Sequence, residues 1–491
     1  MQIYTSNYTM ASKAIQGINR AQDQIEQSMN RLSTGKKVSS GAYDSADLAM
    51  ATRLSAQIQT LSATTGNASQ ALALLETADT ALDEVTDMIN RIRELAVQAS
   101  SDALSATNRT NLVNEAAQLE SEIESVAANT SFNNDRLLAG SFTGRQIQLG
   151  ANAGETLNIS IASSAPSGLG SYASTGPTRA ALAAAQTATA NSTVDGNDIV
   201  LTANGATTTI DVADADSAKT VAAKVNAVSH ATQVNADAQT YALLFSTNAS
   251  SANYTISING NATSAFAISS SNVTDAVAKI NLISATTGIT ASATTSNKVL
   301  LHDADGDDIT IENSGAGGDL DVQAVQSDGA TTQGSEVSLG VGGSTNNDAT
   351  RVIGTLRLYS DEAFSITQSG SGATGYATTE TPSLNALSAI DLTSANSASS
   401  ALAVIDGATN QIAEIRGNIG ALESRLDFSA SLLQRQIENY TLARSNIEDT
   451  DFATESATLA KAMVLQQINT ALLAQANAGA DLVMKLLDDA A

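Results

Sequence analysis

Both ends of the chain carry apolar stripes at helical spacing, and the stretch between them offers no comparable face. Near the start, Tyr4, Tyr8, Ala11, Ile15, Ile18, Ile25, Met29 and Leu32 recur in alternating steps of four and three, with only Gln22 breaking the series. A joint follows. Gly35 falls where a left-handed helix cap belongs, and Lys36 and Lys37 sit at the negative end of the helix dipole. Asp44 or Ser45 can cap a second helix, with Asp47 in its first turn. That helix should run from about Ser45 to Ser100 on Leu54, Ile58, Leu61, Ala68, Leu72 and Leu75, then, after one phase slip, on Ala78, Leu82, Val85, Ile89, Ile92 and Ala96. At 1.5 Å per residue it would span roughly 80 Å, so an elongated molecule is expected. A third helix carries Leu112, Ala116, Leu119, Ile123 and Val126.

Helical periodicity returns at Leu402 with Ile405, Ala408, Ile412, Ile415, Ile419, Leu422, Leu426 and Leu433. It breaks at the acidic run Glu448 to Glu455 and resumes in a last helix with Leu465, Ile468, Leu472, Leu482 and Leu486 in phase. Stripes of this length cannot stay wetted, so the two ends of the chain should pair across what separates them, the last helix with residues 3 to 33.

What separates them has a different character. Ile147-Gln148-Leu149 and Leu157 to Ile161 alternate around Gly150 to Glu155 and predict a β-hairpin. From about Ala165 to Leu384 Ser, Thr, Ala, Asn and Gly dominate and the heptads vanish. An internal repeat lies within. Asn204-Gly205 matches Asn259-Gly260, and Lys224 to Ser229 matches Lys279 to Ser284, each 55 residues on. Each copy reads as strand, Asn-Gly turn, strand, short helix and strand pair, the first copy placing that final pair between about Thr232 and Phe245. The fold class is therefore α+β: long terminal helices from both chain ends forming coiled-coil and bundle domains, with a β-rich insert carrying two tandem modules. Further strands are expected near Val337 to Leu339 and Val352 to Tyr359.

Composition narrows the function. With 24 basic and 50 acidic residues the net charge is -26, which disfavours nucleic acid and anionic membrane as partners. There is no cysteine, hence no disulfide, thiolate metal site or Cys nucleophile. No apolar run is long enough to span a membrane, and Met1 to Asn7 do not form a basic and apolar leader, so any export should proceed without a cleaved signal peptide. The only histidines are His230 and His302, and neither a zinc-protease motif, a phosphate-binding loop nor a nucleophile elbow occurs. A non-enzyme with no cofactor and no metal is expected. Asp303 to Asp308 could be read as a calcium loop, but without a distal Glu the acidic turn is favoured.

Several motifs resemble one family. Arg31-Leu32-Ser33-x-Gly35 with Asp44-x-Ala46-x-x-Ala49, Arg91 to Gln98, Thr130 to Leu138, Ile447 to Glu455 and Leu473 to Asn477 are similar in order and spacing to bacterial flagellin, the subunit of the flagellar filament. Asn134 stands where the family has Gly, a position at which Asn also tolerates positive φ. The similarity covers about residues 1 to 161 and 396 to 491; the insert resembles the insertion motif of some flagellins and hook proteins.

The resemblance implies a helical homopolymer for swimming motility, located outside the bacterium. It places residues 1–43 with 452–491 in an inner tube, 44–163 with 396–451 in a long-helix bundle with the hairpin, and 164–395 on the surface, with repeats at about 196–250 and 251–312. Tyr4, Tyr8, Ile15, Ile18, Ile25, Met29, Leu32, Leu465, Ile468, Leu472, Leu482 and Leu486 are the expected assembly seams. Implied partners are the flagellar type III export apparatus, an export chaperone, the filament cap and hook-associated proteins. Arg91, Leu95 and Glu115 match positions that contact neighbouring protofilament subunits and Toll-like receptor 5. Two rival readings are a hook-filament junction protein and a secreted adhesin that binds through its repeats.

Overall fold

The computed structural model describes the chain except residues 1, 39–43, 102, 204, 316, 342–346, 371–373 and 489–491, and describes the backbone alone for 2–7 and 480–488. Three helices open the chain, α1 (Gln2–Thr34), α2 (Ser45–Ala99) and α3 (Ala106–Asn129). Four short ones lie in the insert, α4 (Ala218–Ala227), α5 (Ser229–Thr232), α6 (Thr274–Asn281) and α7 (Ser284–Thr287). Two long ones close it, α8 (Ala395–Glu448) and α9 (Phe452–Asp488). Contacts divide into two compact units, one of Met1–Leu75, Gly144–Ile159 and Ala421–Ala491, the other of Glu76–Thr143 and Ser160–Gly420.

In the first unit, the joint after α1 forms as its residues dictate. Gly35 adopts φ 71° and returns its N–H to the Arg31 carbonyl at 2.8 Å. The joint is then stitched to the break between α8 and α9: the Lys37 amide donates to the Glu448 carbonyl at 2.6 Å, the Thr450 amide to that of Gly35 at 2.9 Å, and Lys36 pairs with Glu448 through side chains. Asp44 caps α2 through the amides of Ala46 and Asp47, both at 3.1 Å, and Asp451 caps α9 through those of Ala453 and Thr454. The hairpin pairs Arg145–Gln148 with Thr156–Ile159. Glu155 closes its loop on the Asn152 amide and side chain, which hold its carboxyl below the usual range.

In the second unit, Ala78, Leu82, Val85, Ile89, Ile92 and Ala96 of α2, Ala116 and Ile123 of α3, and Ile405, Ala408, Ile412 and Ile419 of α8 are buried. Charged pairs rim this helical core: Arg416 with Asp79 and Asp83 at 2.9 and 2.7 Å, and Arg93 with Asp406 at 2.7 Å. The turn after α3 uses both asparagines, Asn133 at φ 49° and Asn134 at φ 72°. Asn134 therefore serves where a glycine would. Among the described residues no helix is long and apolar enough to cross a membrane.

The insert also builds cores, of Ile, Leu, Val and a few aromatics on sheet faces. Its repeated residues make repeated bonds. Asn226 clamps Ala236 by donating Nδ2 to its carbonyl and accepting its N–H, both at 2.8 Å; 55 residues on, Asn281 does the same to Ala291 at 2.9 and 2.7 Å. Ser229 and Ser284 each donate Oγ to the carbonyl of that asparagine at 2.9 Å. The stretch expected as a strand pair in the first copy is instead one strand, Asn235–Phe245. No turn residue interrupts its apolar second half, and both edges find partners. Thr355–Ser360 pairs with its first half, and Val299–Asp303 and Leu320–Val325 with its second. Ala236 and Ala238 thus enter one core while Ala242 and Leu244 enter another.

Two polar clusters brace the insert. Asp303 accepts from the amides of Asp305, Gly306 and Asp307, while Lys219 binds Asp305 and Asp307 at 3.2 and 2.8 Å. The acidic run is a self-capped turn with a cation across it. Deeper, Asp308 pairs with Arg351 at 2.9 Å and accepts from Asn191 Nδ2, which also reaches the Tyr376 hydroxyl. Burial pushes the Asp308 carboxyl up, and Arg351 pulls it back.

Candidate assembly interface

Helices α1 and α9 lie against each other in antiparallel register, with Ser28 donating to Glu455 at 2.5 Å and Gln466 to Gln22 at 2.8 Å. The residues at their contact are small. Ala14, Ala21 and Ser28 are buried at sevenfold spacing on α1, and Ala462 and Ala476 are buried on α9 in phase with Glu455 and Asn469. Gly17 makes room here, since a Cβ on it would stand 2.7 Å from the end of the Asn469 side chain and displace it. Small side chains let the two axes approach closely and exclude the large ones from the seam.

The stripe residues consequently lie elsewhere. Tyr8 is 79% exposed, Ile15 47% and Met29 59%; on α9 Leu465 is 39%, Ile468 49% and Leu472 47% exposed. Ile18, Ile25 and Leu32 are half-buried, and the side chains of Tyr4, Leu482 and Leu486 fall outside the described ones. The signal for the internal seam was in the sequence as small residues seven apart, masked by the stronger apolar stripe.

In the second unit Arg91 binds Glu115 across to α3 at 2.7 Å and Glu94 on its own helix at 2.7 Å, and these carboxylates raise its pKa. Both Arg91 and Glu115 reach solvent. Leu95 does not: it is fully buried among the helices, so its place in a surface contact is corrected to a core role supporting its neighbours. Its phase, three residues from Ile92, points it inward.

Paired terminal helices that keep their small residues inside and leave their large apolar ones outside define a helical-bundle subunit with an uncovered apolar face. Residues 5–143 match the bacterial flagellin N-terminal helical region and residues 402–487 the bacterial flagellin C-terminal helical region. The chain is 32% identical over 491 residues to the B-type flagellin of Pseudomonas aeruginosa, covering 98% of this chain and 99% of that one. It is 28% identical to the flagellin of Salmonella typhimurium, covering 96% of each. Among solved structures, FliC from Burkholderia pseudomallei aligns with 72% of this chain and 99% of its own at 16% identity and a TM-score of 0.30. The chain belongs to the bacterial flagellins and is a structural subunit of a flagellar filament.

Proposed function

We propose that copies polymerise through the apolar residues that α1 and α9 leave uncovered, Tyr8, Ile15 and Met29 on one helix and Leu465, Ile468 and Leu472 on the other. The observation that carries this is their exposure on helices already paired through other residues. A heterologous contact repeated without closure generates a helical filament. In this reading residues 1–43 with 452–491 line the inner tube, 44–163 with 396–451 surround it, and 164–395 face outward. Seeded electron microscopy tests it: the intact chain extends filament fragments, and a chain lacking residues 1–33 and 452–491 leaves them at their starting length. Growth from the truncated chain would place assembly elsewhere.

The same reading makes the chain an extracellular, non-enzymatic subunit, delivered through the flagellar type III apparatus under an export chaperone and placed between hook-associated proteins and the filament cap. Arg91 and Glu115 form a charged pair open to solvent, suited both to the neighbouring subunit and to Toll-like receptor 5. Arg91→Ala should lower signalling in a receptor reporter cell by roughly tenfold, the loss of one close charge pair at an interface. Undiminished signalling would remove the receptor assignment.

A further inference from the structure

Strands Gly170–Thr175, Asn235–Phe245 and Thr355–Ser360 lie side by side in antiparallel register. Alternation sends Ala236, Ala238, Leu356 and Leu358 into a core and puts Ser171, Asp237, Arg357 and Tyr359 on the opposite face. The first turns of α8 cover that face. Gly407 comes so near that a Cβ on it would stand 2.6 Å from the Gly170 carbonyl oxygen. A cleft of about 540 Å³ remains between helix and sheet, within the usual range of small-molecule sites.

The charges in this cleft are already engaged. Arg357 binds Asp237 through Nε at 3.0 Å and Nη2 at 2.5 Å. Asp328 accepts from the Ala330 and Thr331 amides, and Asp391 from that of Thr393. One guanidinium against three carboxylates also opposes an anionic ligand. The groups left are neutral. Ser171 is 1% exposed and lines the cleft, and its Oγ has no hydrogen-bond partner. A buried hydroxyl at the wall of a cleft can bond to whatever enters beside it, a water or a ligand hydroxyl. Ser400 lines the same space from the helix, and Tyr359 brings an aromatic ring.

We propose that the cleft binds a neutral sugar, whose hydroxyls pair with Ser171 and the other hydroxyl groups while the Tyr359 ring packs on its apolar face. It involves neither α1 nor α9. Saturation-transfer NMR on the full-length chain tests it, with the methyl glycosides of glucose, galactose, mannose and N-acetylglucosamine as probes, and spermidine and sulfate as charged comparisons. At least one glycoside should show transfer at about 10 mM, well above a millimolar Kd. Ser171→Val, which removes the hydroxyl, and Ala403→Phe, which fills the cleft from α8, should each weaken binding by roughly tenfold, or 1.4 kcal/mol, at an unchanged melting temperature. The proposal is overturned if no glycoside binds, if spermidine or sulfate binds in place of the glycosides, or if either folded variant binds as the parent does.

Discussion

The triple substitution Leu465→Asp, Ile468→Asp, Leu472→Asp leaves the isolated chain folded and stops its growth from filament seeds. In the isolated chain these side chains are 39–49% exposed, so a carboxylate there reaches water, and each costs helix propensity plus part of a side chain's burial, about 1 kcal/mol. In the lattice proposed above the same positions are covered. Each would forfeit about 1 kcal/mol of apolar burial, the part of the side chain still uncovered in the isolated chain, and would add an unpaired buried charge. The loss recurs at every subunit, so the monomer concentration needed for growth should rise by at least about a hundredfold, equivalent to roughly 2.7 kcal/mol. Circular dichroism melting and seeded sedimentation measure the two halves of the claim separately. Normal sedimentation by a folded triple variant would sink it.

Arg351→Ala acts on the opposite kind of residue, one engaged inside the insert. The Asp308 side chain is 7% exposed and loses its cation while Asn191 remains. Breaking a buried pair from one side costs about 3–5 kcal/mol because the orphaned charge stays behind. For an insert of this size the melting transition should fall on the order of 10 °C. The pH dependence carries the mechanism. Burial already raises the Asp308 pKa, and removing Arg351 takes away the largest of the forces that oppose this rise, leaving Asn191 and Arg179. A folded-state pKa above the unfolded one makes stability greatest at low pH and smaller as pH rises through the folded value. The variant's deficit should therefore be largest at neutral pH and shrink toward pH 4, where a neutral acid fills the site. A deficit independent of pH would mean that lost packing of the arginine stem, not the charge, sets the cost.

Much of the fold was legible in local chemistry. Gly35, Asp44 and Asp451 mark helix ends because a cap needs only a residue and its next few neighbours. The asparagines at 226 and 281, matched in the sequence repeat, make the same bonds in the structure. The expected break inside Thr232 to Phe245 failed where the deciding partners are distant. Strand Asn235–Phe245 is continuous because Thr355–Ser360, Val299–Asp303 and Leu320–Val325 each take part of its edges.

The seam between α1 and α9 divides the two kinds of knowledge most sharply. The sequence alone determined that both ends are long amphipathic helices, where they start and stop, and that they need apolar cover, since periodicity and caps are properties of consecutive residues. Only the tertiary structure decided which side of each helix turns inward. Close approach of two backbones rewards Ala14, Gly17, Ala21 and Ala462 over larger neighbours. That choice leaves Ile15 and Leu472 outside, because a side chain too large for the inner contact must turn away from it.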